Sequence, residues 1–282
     1  MRILGCFKTV PALDTLAEDD WQADEYCRVR TEYVKLEWNC FDEGALEMML
    51  KLSDMSESLG VVYELDALTV GEKKADSFLK ILYALKFSHA VRVEAEEGRY
   101  YPPELTAELI AGYIKRQAET GRYDAVVTGT QSADGSYMKT PYLLAEMLGW
   151  PCISHVIGME PAEDSCLKVT SQISGGTKVQ TVRMPCVLAV GNAPCAYLRI
   201  PTLKAKMSVG KRPIEYILPE ELLEPGKFNE MTAEDYSGSG ERLAELFRVD
   251  KSRHPVFVAG DSPQEKAQNY YEQYLKGRLE KL

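Results

Sequence analysis

Between Gly129 and Thr140 the chain gathers small residues, hydroxyls and a cation: Gly129-Thr130-Gln131-Ser132-Ala133-Asp134-Gly135-Ser136-Tyr137-Met138-Lys139-Thr140. The small residues let backbone approach a ligand closely, Thr130, Ser132, Ser136 and Thr140 add hydroxyls, and Lys139 adds charge. This set suits a phosphate, above all where the next segment is a helix whose first N–H groups lack partners. Pro141 fits the first turn of such a helix, where a missing N–H costs nothing. The same residues would also serve as an ordinary polar turn between strand and helix. A second run, Asn39-Cys40-Phe41-Asp42-Glu43, reads as a helix start, with Asn39 as N-cap and carboxylates in the first turn.

Other chemistries find little support. Of the three histidines, His89 and His155 sit in or beside strand-like runs, where structural roles are the ordinary reading, and His254 lies far along the chain. Nucleophile-elbow, P-loop and G-x-G-x-x-G patterns are absent from the sequence. Ser237-Gly238-Ser239-Gly240 follows no strand pattern and reads as a flexible linker. Seven cysteines, an odd number, argue for reduced thiols in a cytoplasmic setting, and the lack of a C-x-x-C pair argues against a thiolate metal site. With 33 Lys plus Arg against 43 Asp plus Glu, the 282-residue chain carries a formal charge of −10. That field repels phosphate backbones and anionic lipids, so neither nucleic-acid binding nor membrane insertion is expected. No apolar run approaches the ~20 residues that span a bilayer.

The elements that must position these residues alternate strand and helix. Ile3 to Phe7 is a strand-like run, too soon charged again at Lys8 to read as a secretion signal. Phe41 to Ser56 has a helical stripe of Phe41, Ala45, Met48, Met49 and Leu52. Val61 to Val70 reads as a strand, Lys74 to Phe87 as a helix, Ala90 to Val93 as a strand and Glu104 to Thr120 as a helix. Asp124 to Thr128 has the continuous apolar character of a strand buried on both faces, and the helix after the polar loop stops at Gly149-Trp150-Pro151. This alternation predicts an α/β fold with a mostly parallel sheet. Beyond Pro151, four strand-like runs and a hairpin turn at Ser174-Gly175-Gly176-Thr177 predict antiparallel edge strands. After residue 211 the chain turns polar and proline-punctuated until a last helix, about Pro263 to Leu282, whose stripe of Ala267, Tyr270, Tyr271 and Tyr274 is thin. The expected organisation is a core over 1–211 and an arm over 212–282.

Taken in order, these motifs resemble the β subunit of electron transfer flavoproteins. The first strand ends in Lys8 with Pro11 soon after. Asn39 to Glu47 is similar to that family's Asn-Pro-Phe-Asp-Glu-x-Ala-x-Glu helix start, with Cys40 in place of Pro. Gly129 to Pro151 resembles its Gly-x-Gln-x-x-Asp loop and the following Leu-Ala-Glu-x-Leu-Gly-Trp-Pro, with Ser136, Lys139 and Pro141 as departures. Met184 to Val190, Asn192-Ala193-Pro194 and Lys204-Ala205-Lys206 look like its last core strand and recognition loop, with Cys195 where Arg is usual. Gly260 to Ala267 resembles its closing helix start.

The resemblance implies a Rossmann-like adenine-nucleotide-binding fold and a role as an electron-carrier subunit, without catalysis by this chain alone. It implies an α-subunit partner bearing FAD, and AMP, or a second FAD in an electron-bifurcating version, in this chain. The pocket would comprise Cys6, Asn39, Cys40, Phe41, Asp42, Val70 and the whole of Gly129 to Thr140. Residues around Cys195 to Lys206 would dock a dehydrogenase, such as an acyl-CoA dehydrogenase, through Leu198 or Ile200, and the arm would wrap the α subunit. A stand-alone adenine-nucleotide-binding or regulatory module is the reading of another class.

Overall fold

The computed structural model describes residues 1–22, 29–57, 61–96, 101–118, 121–163, 165–231 and 257–280. The Ser237–Gly240 stretch and His254 lie outside them. Two compact units are present, Met1–Gly240 and Glu241–Leu282.

In chain order the first unit contains β1 (Arg2–Cys6), β2 (Thr9–Pro11), β3 (Leu36–Trp38), α1 (Cys40–Glu57), β4 (Glu64–Gly71), α2 (Asp76–Ala84), β5 (His89–Glu94) and α3 (Pro103–Gln117). There follow β6 (Ala125–Gly129), α4 (Thr140–Leu148), β7 (Cys152–Pro161), β8 (Cys166–Ile173), β9 (Gly176–Arg183), β10 (Cys186–Val190), α5 (Leu203–Val209), β11 (Glu215–Ile217) and α6 (Lys227–Met231). The described residues form a nine-stranded sheet in the order β11-β5-β4-β1-β6-β10-β7-β8-β9, and β2 pairs with β3 in a small antiparallel ribbon. Pairing is parallel from β11 to β7 and antiparallel from β7 through β9. This is the expected α/β, Rossmann-like architecture with antiparallel edge strands, except that Val187–Val190, expected among the edge strands, lies in β10 as a central strand parallel to β6 and β7.

The central strands are apolar because helices cover both faces. Every residue of β6 and β10 is buried. One face packs Ile3, Ala67, Val127 and Leu188 under α1 and α2. The other packs Leu4, Leu68, Val91 and Val126 under α3 and α4. α1 lies hard against β1: a side chain at Gly5 would come within 2.8 Å of Met49 Sδ and 2.9 Å of Leu46 Cδ2. At the amino end of the sheet Asp66 accepts from Arg2 Nε at 2.7 Å and from the Tyr123 hydroxyl at 2.8 Å.

From β1 the chain builds outward through β4 and β5, then crosses back to place β6 on the other side of β1. The order of strands therefore reverses between β1 and β6. Open α/β sheets form a ligand crevice at the carboxyl ends of such a pair, and Lys8 and Gly129 stand there.

Part of the segment assigned to the arm from sequence lies in the sheet. β11 pairs with β5, with Ile217 opposite Val93, and Phe228 and Met231 are buried with α3 and β6. A Cβ on Gly112 of α3 would meet the Leu222 carbonyl oxygen. This strand was hard to read because Glu215-Tyr216-Ile217 is three residues long between prolines. The Val61–Val70 strand begins later than expected, at Glu64.

The second unit has α7 (Pro263–Tyr270) and α8 (Lys276–Leu279), joined by a π-helical turn over Tyr271–Leu275 where sequence predicted one continuous helix. Ser262 caps α7 by accepting from the Glu265 N–H, and the Tyr270 and Tyr274 rings stack at 5.6 Å.

If residues 212–231 are part of the core, Phe228→Ala leaves a cavity and costs about 3 kcal/mol. Tyr271→Ala, in an exposed position, changes stability by less than about 0.5 kcal/mol. Urea unfolding of the two variants checks this.

Candidate functional site

The crevice between β1 and β6 is organised around one carboxylate. Asp42, buried in the first turn of α1, accepts from the Gly129 N–H through Oδ1 at 2.6 Å. Its Oδ2 accepts from the Lys8 N–H at 2.9 Å and from Asn39 Nδ2 at 2.9 Å. Asn39, also buried, donates to the Gln131 carbonyl at 2.8 Å and accepts from the Ala133 N–H at 3.1 Å. Two adjacent side chains thus join the end of β1, the start of α1 and the first half of the Gly129–Thr140 loop. Thr130 ties the loop to β10: its N–H and its hydroxyl both donate to the Val190 carbonyl, at 2.8 and 2.9 Å.

Close approach makes Gly129 obligatory. A Cβ there would lie 2.6 Å from Asp42 Oδ1, 2.7 Å from Phe41 Cβ and 2.9 Å from the Asp42 nitrogen. Beyond Ala133 the loop is less constrained. Asp134, Ser136, Tyr137, Met138 and Lys139 are exposed, and Ser136 and Met138 adopt left-handed backbone at φ 52° and 54°. The Ser136 N–H and hydroxyl donate to the Ser132 carbonyl at 2.9 and 3.2 Å, which folds the tip into a compact turn. Thr140 opens α4, whose first turn carries no acidic residue and no side-chain cap.

The cations near the loop are engaged. Lys8 Nζ lies 2.6 Å from Asp134 Oδ2, and Lys139 Nζ lies 3.6 Å from Glu104 Oε1. Both pairs are partly exposed, so each contributes little to stability and can exchange its partner. Lys8 was noted in the sequence only as a strand end; its pairing with Asp134 joins residues over a hundred positions apart and has no local signal.

The sequence-derived pocket residues fall into three groups. Asn39, Phe41, Asp42, Gly129, Thr130, Gln131 and Ala133 form the internal brace, and Cys40 is exposed beside it. Ser132, Asp134, Gly135, Ser136, Tyr137, Met138, Lys139 and Thr140 form the loop's outer half. Cys6 and Val70, at the ends of β1 and β4, pack in the same cluster under α3 and α4. Burial, with Asp42 nearby, pushes the Cys6 thiol up, so it stays protonated and is no nucleophile. His89 faces Glu215 on β11 at 3.0 Å, and His155 is exposed at the irregular pairing of β7 with β10. No metal-ligating cluster occurs among the described residues, and no helix among them is long and apolar enough to cross a membrane.

A second feature adjoins the site through α1. The segment after β10 lies along this helix, with Leu198 tucked in at 9% exposure and Tyr197 and Ile200 in solvent at 81% and 88%. Thr202 then caps α5 by accepting from the Ala205 N–H, and α5 exposes Leu203 and Met207.

A doubly covered parallel sheet with a braced, hydroxyl-rich loop at its switch point defines an α/β protein of Rossmann-like architecture. Comparison with known proteins narrows this. The electron transfer flavoprotein domain model matches residues 29–221, and the chain belongs to that family. Similar proteins include YgcR of Escherichia coli (strain K12), named as an electron transfer flavoprotein subunit, 29% identical over 99% of this chain and 100% of that one. The electron transfer flavoprotein subunit beta of Bradyrhizobium diazoefficiens is 27% identical over 64% of this chain and 68% of its own. The acryloyl-CoA reductase electron transfer subunit gamma of Anaerotignum propionicum is 24% identical over 92% and 93% respectively.

Burial raises the Asp42 carboxyl from its ordinary 3.8 to about 6, against the pull of Asn39 and the Lys8 and Gly129 N–H groups. Between its ordinary 3.8 and about 6 the folded chain therefore holds a proton that the unfolded chain has released. This contribution to stability is present in acid and lost as the pH rises through about 6. Asp42→Asn keeps the shape but turns an N–H₂ toward a donor, at a cost of about 2 kcal/mol near neutral pH. Because only the parent gains from protonation, the penalty is larger at about pH 4.5 than at about pH 7.5. Denaturant unfolding at the two pH values measures both effects.

Proposed function

We propose that this chain is the β subunit of a heterodimeric electron transfer flavoprotein, holding AMP, or a second FAD, in the β1–β6 crevice while its α partner carries the redox FAD. The observation that supports the reading most is the brace itself. Asp42 and Asn39 spend their polar atoms on each other and on the protein's own backbone and leave the loop's outer face, with Ser132, Thr140 and the start of α4, open to an incoming anion. The residues fit an adenine nucleotide: hydroxyls, backbone N–H groups and Lys139 for phosphate, and the strand ends at Cys6 and Val70 to flank the adenosine. A bound flavin would supply one- and two-electron transfer; bound AMP would only stabilise the fold by mass action.

In this reading the segment Cys195–Lys206 docks a dehydrogenase, for which an acyl-CoA dehydrogenase is one candidate. Ile200 rather than Leu198 is the side chain free to insert, since Leu198 is buried in the chain's own core. Lys204 and Lys206 lie beside it on a chain of net charge −10, so the partner surface would be an apolar hollow with carboxylates around it. The second unit, Glu241–Leu282, would wrap the α subunit, and the complex would work in the cytoplasm.

The test is co-expression with the α chain of the same source, purification of the complex, denaturation, and quantification of released AMP and FAD. One AMP and one FAD per heterodimer are expected for a simple carrier, and two FAD without AMP for the bifurcating form. If the α chain does not co-purify and no nucleotide is released, the proposal fails and a stand-alone module takes its place.

A further inference from the structure

The segment after β10 is held to α1 by a row of carboxylates that the nucleotide brace does not use. Glu43, Glu47 and Asp54 recur at spacings of four and seven residues, which places them on one side of the helix. Glu43 Oε1 accepts from the Leu198 N–H at 3.1 Å, and Glu47 Oε2 accepts from the Arg199 N–H at 3.0 Å. The Arg199 guanidinium then spans two carboxylates: Nη2 donates to Glu47 Oε1 at 2.8 Å, Nε to both Glu47 oxygens at 3.1 Å, and Nη1 to Asp54 Oδ2 at 2.7 Å. Gly44 lets the segment settle, for a Cβ there would stand 3.2 Å from the Cys195 carbonyl oxygen.

We propose that Glu47, acting through Arg199, is the positioning residue of the docking segment: its carboxylate turns Leu198 inward and holds Tyr197 and Ile200 toward the partner. Glu47 is buried, and a buried carboxylate must keep its partners, so the segment has one low-energy seating on α1. Burial of Leu198 alone would fix one point; the fork adds direction, because a planar guanidinium bonded on two sides cannot rotate. A pre-set loop docks without a large ordering cost. The docking role rests on the functional reading above, whereas the seating of the segment can be measured separately from it.

Hydrogen–deuterium exchange on the full chain, read by mass spectrometry, tests the proposal. Glu47→Ala is expected to raise exchange across residues 195–201 by about tenfold or more, with the rest of α1 at the parent's level. Glu47→Gln retains an acceptor for the Arg199 N–H and restores part of the protection; Ile200→Ser changes nothing. Should Glu47→Ala not fold, Arg199→Lys keeps the charge but cannot bridge two carboxylates, and is expected to loosen the same residues by a smaller factor. Unchanged exchange in 195–201 overturns the proposal, as does a rise spread along Cys40–Glu57, which would make Glu47 a support of the helix only. Nucleotide content of the same parent sample separates the two readings, since a chain that releases no nucleotide counts against the functional assignment and leaves the exchange result standing.

Discussion

The ends of β1 and β6 and the start of α1 meet at the Asp42 carboxylate, and the rest of the site follows from that junction. Backbone N–H groups at strand ends and in loops need acceptors when they are buried. Here one side chain serves Lys8 and Gly129 together while also bonding Asn39. The arrangement dictates Gly129, because any side chain would strike Asp42 itself. It also dictates Asn39, the residue able to donate to that carboxylate and to the Gln131 carbonyl while accepting from Ala133. The cost is a charge kept out of water near neutral pH, which is why the carboxyl titrates near 6.

α1 therefore does two jobs along its length. In its first turn Asp42 fixes the loop, and from Glu43 at the end of that turn onward Glu43, Glu47 and Asp54 hold the segment at Leu198 and Arg199. A second link runs through Thr130, whose N–H and hydroxyl reach the last residue of β10, just before that segment begins. Loop and segment are thus registered to the same helix and the same strand. Neither can shift far without breaking bonds to buried carboxylates or to a buried carbonyl, so their separation is set by the rigid core rather than by either loop.

Much of this was legible in the sequence, for reasons that can be named. The parallel sheet showed because strand and helix patterns alternate and Asp124–Thr128 is apolar without alternation, and α1 showed because its stripe repeats at helical spacing. The loop showed through composition and its place after a buried strand. What did not show depends on distant partners. β11 is too short to carry a period and gains its identity only beside β5. Asn39 and Asp42 read as a local N-cap with dipole-matched acid, yet the polar atoms of Asp42 go to Lys8 and Gly129 as well as to Asn39. Arg199 had no visible partner, since Glu47 lies 152 positions away. The choice between Leu198 and Ile200 could not be made either, because both are aliphatic and only burial separates them.

Charge in the outer half of the loop bears on the proposed ligand. Asp134 would oppose a phosphate, but Lys8 lies against it, so the pair is close to neutral. Lys139 is engaged with Glu104 at longer range, across partly exposed side chains. A monophosphate would need only the hydroxyls of Ser132 and Thr140 and the transfer of Lys139 from Glu104, an exchange between two weak surface pairs. The pyrophosphate of FAD, a diester with one charge on each phosphorus, carries about the same charge as the doubly ionised monoester of AMP but spreads it over a second group, for which Lys8 is the remaining cation beside the loop. Recruiting it would uncover Asp134 beside the ligand. On the proposed reading the two ligands thus differ at this pair by position and not by total charge: AMP leaves Lys8 on Asp134, whereas a second phosphate that reached Lys8 would draw it away.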